Sequence, residues 1–141
     1  MAPRFRIAEP GDAALFDRIA DGVFDGSVRP DLLSEFLSDV RHHLAIATMG
    51  DEIVGMASGV DYVHPDKPRE LWINEVGVAP SHQRQGLGTR VVKTLLDHGR
   101  HISCGEAWVL SADDEGVRKF YRSLGGQETG THHTMFTFGL K

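Results

Sequence analysis

An α+β fold, a central mixed sheet flanked by about four helices, is predicted by three observations. Apolar strand patterns and apolar helix patterns follow one another in the order β-α-α-β-β-β-α-β-α-β. Two adjacent strand patterns are separated only by Gly50-Asp51-Glu52, a hairpin signal. A long stretch with Leu87, Val91, Val92, Leu95 and Leu96 at helical spacing then lies between two further strand patterns, as a crossover helix would.

Taken in order, Phe5-Arg6-Ile7 is the expected first strand, and Glu9-Pro10-Gly11-Asp12 a turn whose Asp12 caps a helix from about Ala13 to Val23. Leu15, Phe16, Ile19 and Val23 form its apolar stripe. Phe24 to Pro30 breaks the pattern, and a second helix carries Leu32, Leu33, Phe36, Leu37 and Val40. His43 to Met49 and Ile53 to Val60 are the hairpin strands. Val63 to Arg69 contains two prolines without periodicity and reads as a loop. Leu71 to Val78 is a strand closed by the turn Ala79-Pro80-Ser81-His82, and Gly99 caps the crossover helix. Glu106 to Leu110 is a buried strand, Ser111-Ala112-Asp113-Asp114 a helix start, and Val117, Phe120, Tyr121 and Leu124 one face of the last helix. A polar turn at Gly130-Thr131-His132-His133 leads to a final strand, Met135 to Phe138.

The chain has 141 residues, 40% of them hydrophobic and 25% charged, which suits one soluble domain over 1–141. No apolar run reaches the length of a membrane span, and the N-terminus leads directly into a strand, so a cytoplasmic protein without membrane partners is expected. The net charge of -5 argues against nucleic acid and favours a cationic substrate. Cys104 is the lone cysteine, with no activating base nearby in sequence, and reads as a structural thiol. His42-His43 and His132-His133 are adjacent pairs whose members point to opposite faces of a strand, so no metal site is expected.

The chemistry concentrates at Gln83-Arg84-Gln85-Gly86-Leu87-Gly88-Thr89, between a strand and a helix. Glycines at the first turn permit close approach to the backbone, and the unpaired N–H groups there carry the positive end of the helix dipole, so the stretch suits a diphosphate. The alternative is a plain tight connection. Glu75 is the second feature: a carboxylate in an otherwise apolar strand needs a partner, a hydrogen bond or a cleft. It is either a base or anchor for an amine, or a strand-end group facing solvent or Arg69.

The loop pattern Gln/Arg-x-x-Gly-x-Gly/Ala, filled by Gln83, Gly86 and Gly88, resembles the acetyl-coenzyme A loop of the GNAT N-acetyltransferases. Val76-Gly77-Val78-Ala79-Pro80 and Phe120-Tyr121-Arg122-Ser123-Leu124-Gly125-Gly126 resemble that family's preceding strand and last helix. The resemblance implies an acyl-CoA N-acyltransferase fold with acetyl-CoA as cosubstrate. The pantetheine arm would lie on the backbone of Val76, Gly77 and Val78, and the diphosphate on Arg84, Gln85, Gly86, Leu87, Gly88 and Thr89. Tyr121 would protonate the leaving thiolate, and Asp114 stands where the family often has a pantetheine-binding asparagine. The two N-terminal helices would wall the acceptor site.

Within the family, the chain is similar to small aminoglycoside 3-N-acetyltransferases. Pro65 and Pro68 before the strand, Glu75, the His82 to Gly86 run and Asp113-Asp114 carry that similarity, although those enzymes have aspartate where Glu75 stands. An aminoglycoside acceptor, hence antibiotic resistance, would be met by Asp21, Asp25 and Glu75. The alternatives are another small amine, a protein N-terminus or lysine, a non-catalytic acyl-CoA sensor module, or a phosphate-binding domain unrelated to coenzyme A. A homodimer through the 135–138 strand is the family expectation.

Overall fold

The computed structural model describes residues 1–130 and 132–141 and divides the chain into two compact units, Met1–Leu110 and Ser111–Lys141. The first unit holds a five-stranded mixed sheet in the order β1-β2-β3-β4-β5, formed by Arg4–Ile7, His42–Met49, Glu52–His64, Lys67–Val78 and Glu106–Trp108. Neighbours from β1 to β4 are antiparallel, and β5 is parallel to β4. Helix α1 (Pro30–Ser38) precedes β2, and α2 (Leu87–His101) crosses from β4 to β5.

The core follows the sequence pattern. Ala45, Ile46, Ala47, Ile53, Val54, Ala57, Leu71 and Ile73 of the sheet are buried with Leu87, Val91, Val92 and Leu95 of α2. Gly50, with φ 63°, makes the tight β2–β3 turn that an L side chain would strain. Pro30 sits in the first turn of α1, where its missing N–H costs nothing.

Several expectations are corrected. The first helix is a 3-10 segment, Pro10–Asp17, and Asp12 lies inside its first turn, bonded to the Glu9 N–H at 2.7 Å and to Arg6. Beyond it the chain is drawn out by the sheet: Ile19 bridges Ile53, and Ala20 N–H donates to the Ile53 carbonyl at 2.9 Å. The apolar stripe is satisfied by packing rather than by a regular α-helix, with Phe16 and Val23 buried. Val40 lies past the end of α1 and is 86% exposed.

The proline-containing stretch at 63–69 is a hairpin, not a loop. β3 runs to His64 and β4 starts at Lys67, with Pro65 in the turn and Pro68 beside an irregularity in the register. Gly99 lies within α2 rather than capping it. It is buried, and a Cβ there would come within 3.0 Å of Leu71, so its smallness serves packing. The turn out of α2 falls instead at Ser103, with φ 68°.

The second unit contains α3 (Glu115–Ser123), capped by Asp114, whose carboxylate accepts from the Val117 N–H at 3.0 Å. Its charged side chains link: Arg118 pairs with Asp113 and Glu128, and Arg122 with Glu128. No strand forms over 135–138; Met135, Phe136 and Phe138 are 83%, 77% and 81% exposed. Residue alternation alone does not make a strand when no neighbouring backbone pairs with it. Thr131, in the expected polar turn, lies outside the described residues. Among the described residues no helix is long and apolar enough to cross a membrane.

Candidate functional site

β4 changes character at a bulge. Gly59 pairs with Ile73, but Ser58 pairs with Glu75, leaving Asn74 as the extra residue. Trp72 and Glu75, three positions apart, would otherwise point to opposite faces. The bulge places them on the same one, because their partners Val60 and Ser58 are two residues apart on β3. Leu71 faces α2, where it meets Gly99; Trp72, Glu75 and Gly77 line the other face.

The loop after the 3-10 segment is fastened over this second face. Gly22 adopts φ 87° and lies against Pro80, so close that a Cβ would collide with the ring. Gly77 meets the carbonyl oxygen of Val23, where again there is no room for a Cβ. The close approach at Gly77 is thus made on this face by the chain itself, where sequence reasoning reserved it for a ligand. These contacts bring Asp25 to Glu75. Burial raises the Glu75 carboxyl above its ordinary range, and the hydrogen bond and charge of Asp25 raise it further. Asp21, the third acid expected in the cleft, is exposed and is not among the groups that perturb Glu75. Arg69 is not the partner of Glu75 either, since it pairs with Asp61.

The β5-side edge of β4 opens beyond this point. Parallel pairing runs from Glu70–Glu106 to Trp72–Trp108, and among the described residues no strand continues it along Ile73 to Val78. Val76, Gly77 and Val78 therefore lie on the stretch of β4 whose far edge is free of sheet pairing. Past the 3-10 turn Pro80–His82, Gln83 reaches back to the Val78 carbonyl, at 3.4 Å. Arg84 and Gly86 both take positive φ, 62° and 76°. For an arginine that conformation is uncommon and for glycine easy. Gly86 begins α2 with open space where a Cβ would stand, and no side chain caps the helix. The first-turn N–H groups of Leu87, Gly88 and Thr89 have no partner within the helix, and the positive end of its dipole lies behind them. This arrangement fits an anion such as a diphosphate.

Tyr121 and Asp114 belong to the second unit. Tyr121 lies on α3 with its ring edge-on to Phe120, and burial raises its phenol above the usual tyrosine range. Asp114 is engaged as the helix cap.

Sequence reasoning missed a polar network on the α2 face of the sheet. Asp61, 3% exposed, accepts from His43 Nε2 at 2.5 Å and from Arg69, and His43 Nδ1 meets His98 Nε2 at 2.9 Å. Burial alone would raise Asp61, but the bonds from His43 and Arg69 outweigh it and hold the carboxyl below its ordinary range. The signal was an aspartate and a histidine at core-facing positions of neighbouring strands. Among the described residues no group of three or more metal-ligating side chains is arranged to hold an ion.

The profile of the acetyltransferase (GNAT) family matches residues 14–125. The chain is 29% identical over 102 residues to the N-alpha-acetyltransferase RimI of Mycobacterium tuberculosis, covering 72% of this chain and 62% of that protein. It is 41% identical over 49 residues to an L-2,4-diaminobutyric acid acetyltransferase of Virgibacillus pantothenticus, covering 35% of this chain and 30% of that protein. These curated relatives are thus matched over less than two thirds of their length. Among solved structures, an aminoglycoside acetyltransferase from an uncultured soil metagenomic sample, in complex with sisomicin, superposes with a TM-score of 0.78 at 17% identity over 97% of each chain. The glycine-turned helix start, the opened strand before it and the family match over most of the chain agree: this protein belongs to the acetyltransferase (GNAT) family.

Proposed function

We propose that the chain is an acetyl-CoA-dependent N-acetyltransferase, residues 1–141 acting as one domain, whose acceptor is a primary amine of a small cationic molecule. The observation that carries this reading is the Glu75–Asp25 carboxyl pair beside the unpaired edge of β4 that leads into the open N-terminus of α2. Arg84 to Thr89 would hold the diphosphate and Val76 to Val78 the pantetheine arm. Acetyl-CoA, when bound, supplies the acetyl thioester.

This chain's residues then have definable tasks. An alkylammonium, with an ordinary pKa of about 10.4, must lose a proton before its nitrogen can attack. Glu75 accepts that proton directly or through water, and its raised pKa makes it a better base at neutral pH. Backbone N–H groups on the unpaired edge of Val76 to Val78 would be placed to polarise the thioester carbonyl, the amine nitrogen taking the acetyl group and coenzyme A leaving as its thiolate. Tyr121, protonated at neutral pH, is assigned the return of a proton to sulfur through its place in the Phe-Tyr-x-x-x-Gly pattern.

The aminoglycoside class is the first acceptor to test, since the similar fold in complex with sisomicin shows such a molecule on that protein. The similarity to RimI supports a second reading, acetylation of a protein N-terminus. Thiol release from acetyl-CoA with aminoglycosides, diamines and short peptides separates the two. Glu75→Gln should lower kcat by about 100-fold or more, within the range of general-base effects, while coenzyme A affinity is retained. Coenzyme A binding with no turnover on any acceptor would replace this reading with a non-catalytic sensor module.

A further inference from the structure

The second face of β4 carries more than Glu75. In the parallel register of β4 and β5, Glu70 lies opposite Glu106 and Trp72 opposite Trp108. The two indoles are stacked, with centroids 6.0 Å apart and planes inclined by 22°. Both remain partly exposed. Their position is fixed: Trp108 Nε1 donates to Tyr62 Oη at 2.7 Å, and Tyr62 Oη donates to Glu70 at 3.3 Å.

This leaves two cross-strand pairs in a row along one face, Glu70 with Glu106 and Trp72 with Trp108, followed by Glu75, beside which the loop sets Asp25. Like charges directly opposite on neighbouring strands destabilise a sheet. Among the described residues none of Glu70, Glu106, Glu75 and Asp25 takes part in an ion pair that would relieve this, because Arg69 and Lys67 are engaged by Asp61 and Asp66. A cationic ligand would supply the missing charge. The indole faces between the acidic pairs suit an ammonium or the aliphatic stem beside it.

We propose that this row is the acceptor platform and that it selects an extended amine with at least two ammonium groups joined by an aliphatic or saturated-ring stem. The proposal rests on the acetyltransferase reading and adds Trp72, Trp108, Glu70 and Glu106 as specificity-determining residues. Spacing sets the acceptor's length. Glu70 and Glu75 pair with Tyr62 and Ser58 on β3, a separation of about 13 Å at the usual rise per strand residue. One ammonium sits at Glu75 and Asp25 to be acetylated, the stem crosses the indoles, and a distal ammonium reaches Glu70 and Glu106. Linear polyamines and aminosugars share this chemistry; a monoamine or a peptide N-terminus uses only the first pair.

The chain has two tryptophans, and both are in the platform, so intrinsic fluorescence reads it without a label. Spermidine and neamine serve as the linear and the ring-bearing probes, butylamine as the monoamine, and an alanine-initiated peptide as the other class. A saturable change in emission is expected with spermidine or neamine, at concentrations at least tenfold below those needed for butylamine. In turnover, Glu70→Gln combined with Glu106→Gln should reduce the preference for the better polyamine over butylamine by about tenfold, the size of one exposed charge contact or cation–π contact. Trp72→Leu should do the same and Trp72→Phe restore part of it, with acetyl-CoA KM checking that the fold is intact. The proposal is overturned if emission is insensitive to both polyamines, if the variants affect butylamine and polyamines equally, or if the peptide is preferred and indifferent to Trp72→Leu. If no amine gives turnover but spermidine still changes the emission, the platform stands and the acetyltransferase reading falls.

Discussion

At Gly77 one added methyl group decides whether the loop at 22–25 keeps its place. The Cβ of an alanine would collide with the Val23 carbonyl oxygen, a backbone atom that cannot rotate away. Overpacking of this kind costs about 1–3 kcal/mol, and a backbone neighbour puts it towards the upper end. Gly77→Ala should therefore lower the urea midpoint, and in turnover it should raise the acceptor KM more than the acetyl-CoA KM, because the loop carries Asp25. Equal effects on both would mean that the loop does not position the acceptor. The glycine itself is visible in the sequence. Its partner is not, since Val23 and Gly77 meet only after the chain has folded.

The element that joins the most features is α2. Its N-terminus offers free N–H groups after Gly86, and near its C-terminus His98 reaches His43 and, through it, Asp61. Burial lowers the pKa of His98, and the neighbouring His43 and His101 lower it further against the opposing charge of Asp61. A histidine whose folded pKa is depressed binds its proton less readily than in the unfolded chain. Its contribution to stability is therefore complete above the unfolded value, about pH 6.5, and is lost as pH falls through the folded one. The urea midpoint should fall on acidification from pH 7.5 towards pH 5, and His98→Gln should flatten that slope. An unchanged slope would place the proton uptake elsewhere. The helix period predicted α2 almost to the residue, but it misplaced the end at Gly99, because burial against Leu71 and a cap both call for glycine.

Over the whole molecule, the two units rest on different physics. The first buries an apolar core between sheet and α2, whereas no described residue of the second is fully buried. There the polar links are the Asp114 cap and the pairs of Arg118 and Arg122 with Asp113, Glu115 and Glu128, beside a half-buried face that carries Phe120 and Tyr121. Such pairs are screened: the Debye length falls from about 10 Å at 0.1 M salt to about 3 Å at 1 M. Amide exchange over residues 115–128 should quicken in 1 M sodium chloride while β2 and β3 keep their protection. Salt-independent exchange in that segment would show that apolar contacts hold it.

Much of this protein is local and therefore legible in the sequence. Strand and helix patterns indicated β1, β2, α2, α3 and the inner parts of β3 and β4, hairpin chemistry specified the Gly50 turn, and three segments together, 76–80, 83–89 and 120–126, carried the resemblance to the family. Glu75 stood out as a charge in an apolar strand. What tertiary structure alone decided were the pairings between distant residues. Ile53 drew the expected first helix into an extended bridge, and the Asn74 bulge turned Glu75 onto the face of Trp72. Packing of two glycines against Pro80 and Val23 brought Asp25, and not Asp21, to Glu75. The exposed 135–138 segment shows the same dependence in reverse, with a strand's alternation and no strand. Periodicity records which side chains prefer burial, but a strand's register and a carboxylate's partner depend on which backbone arrives beside it.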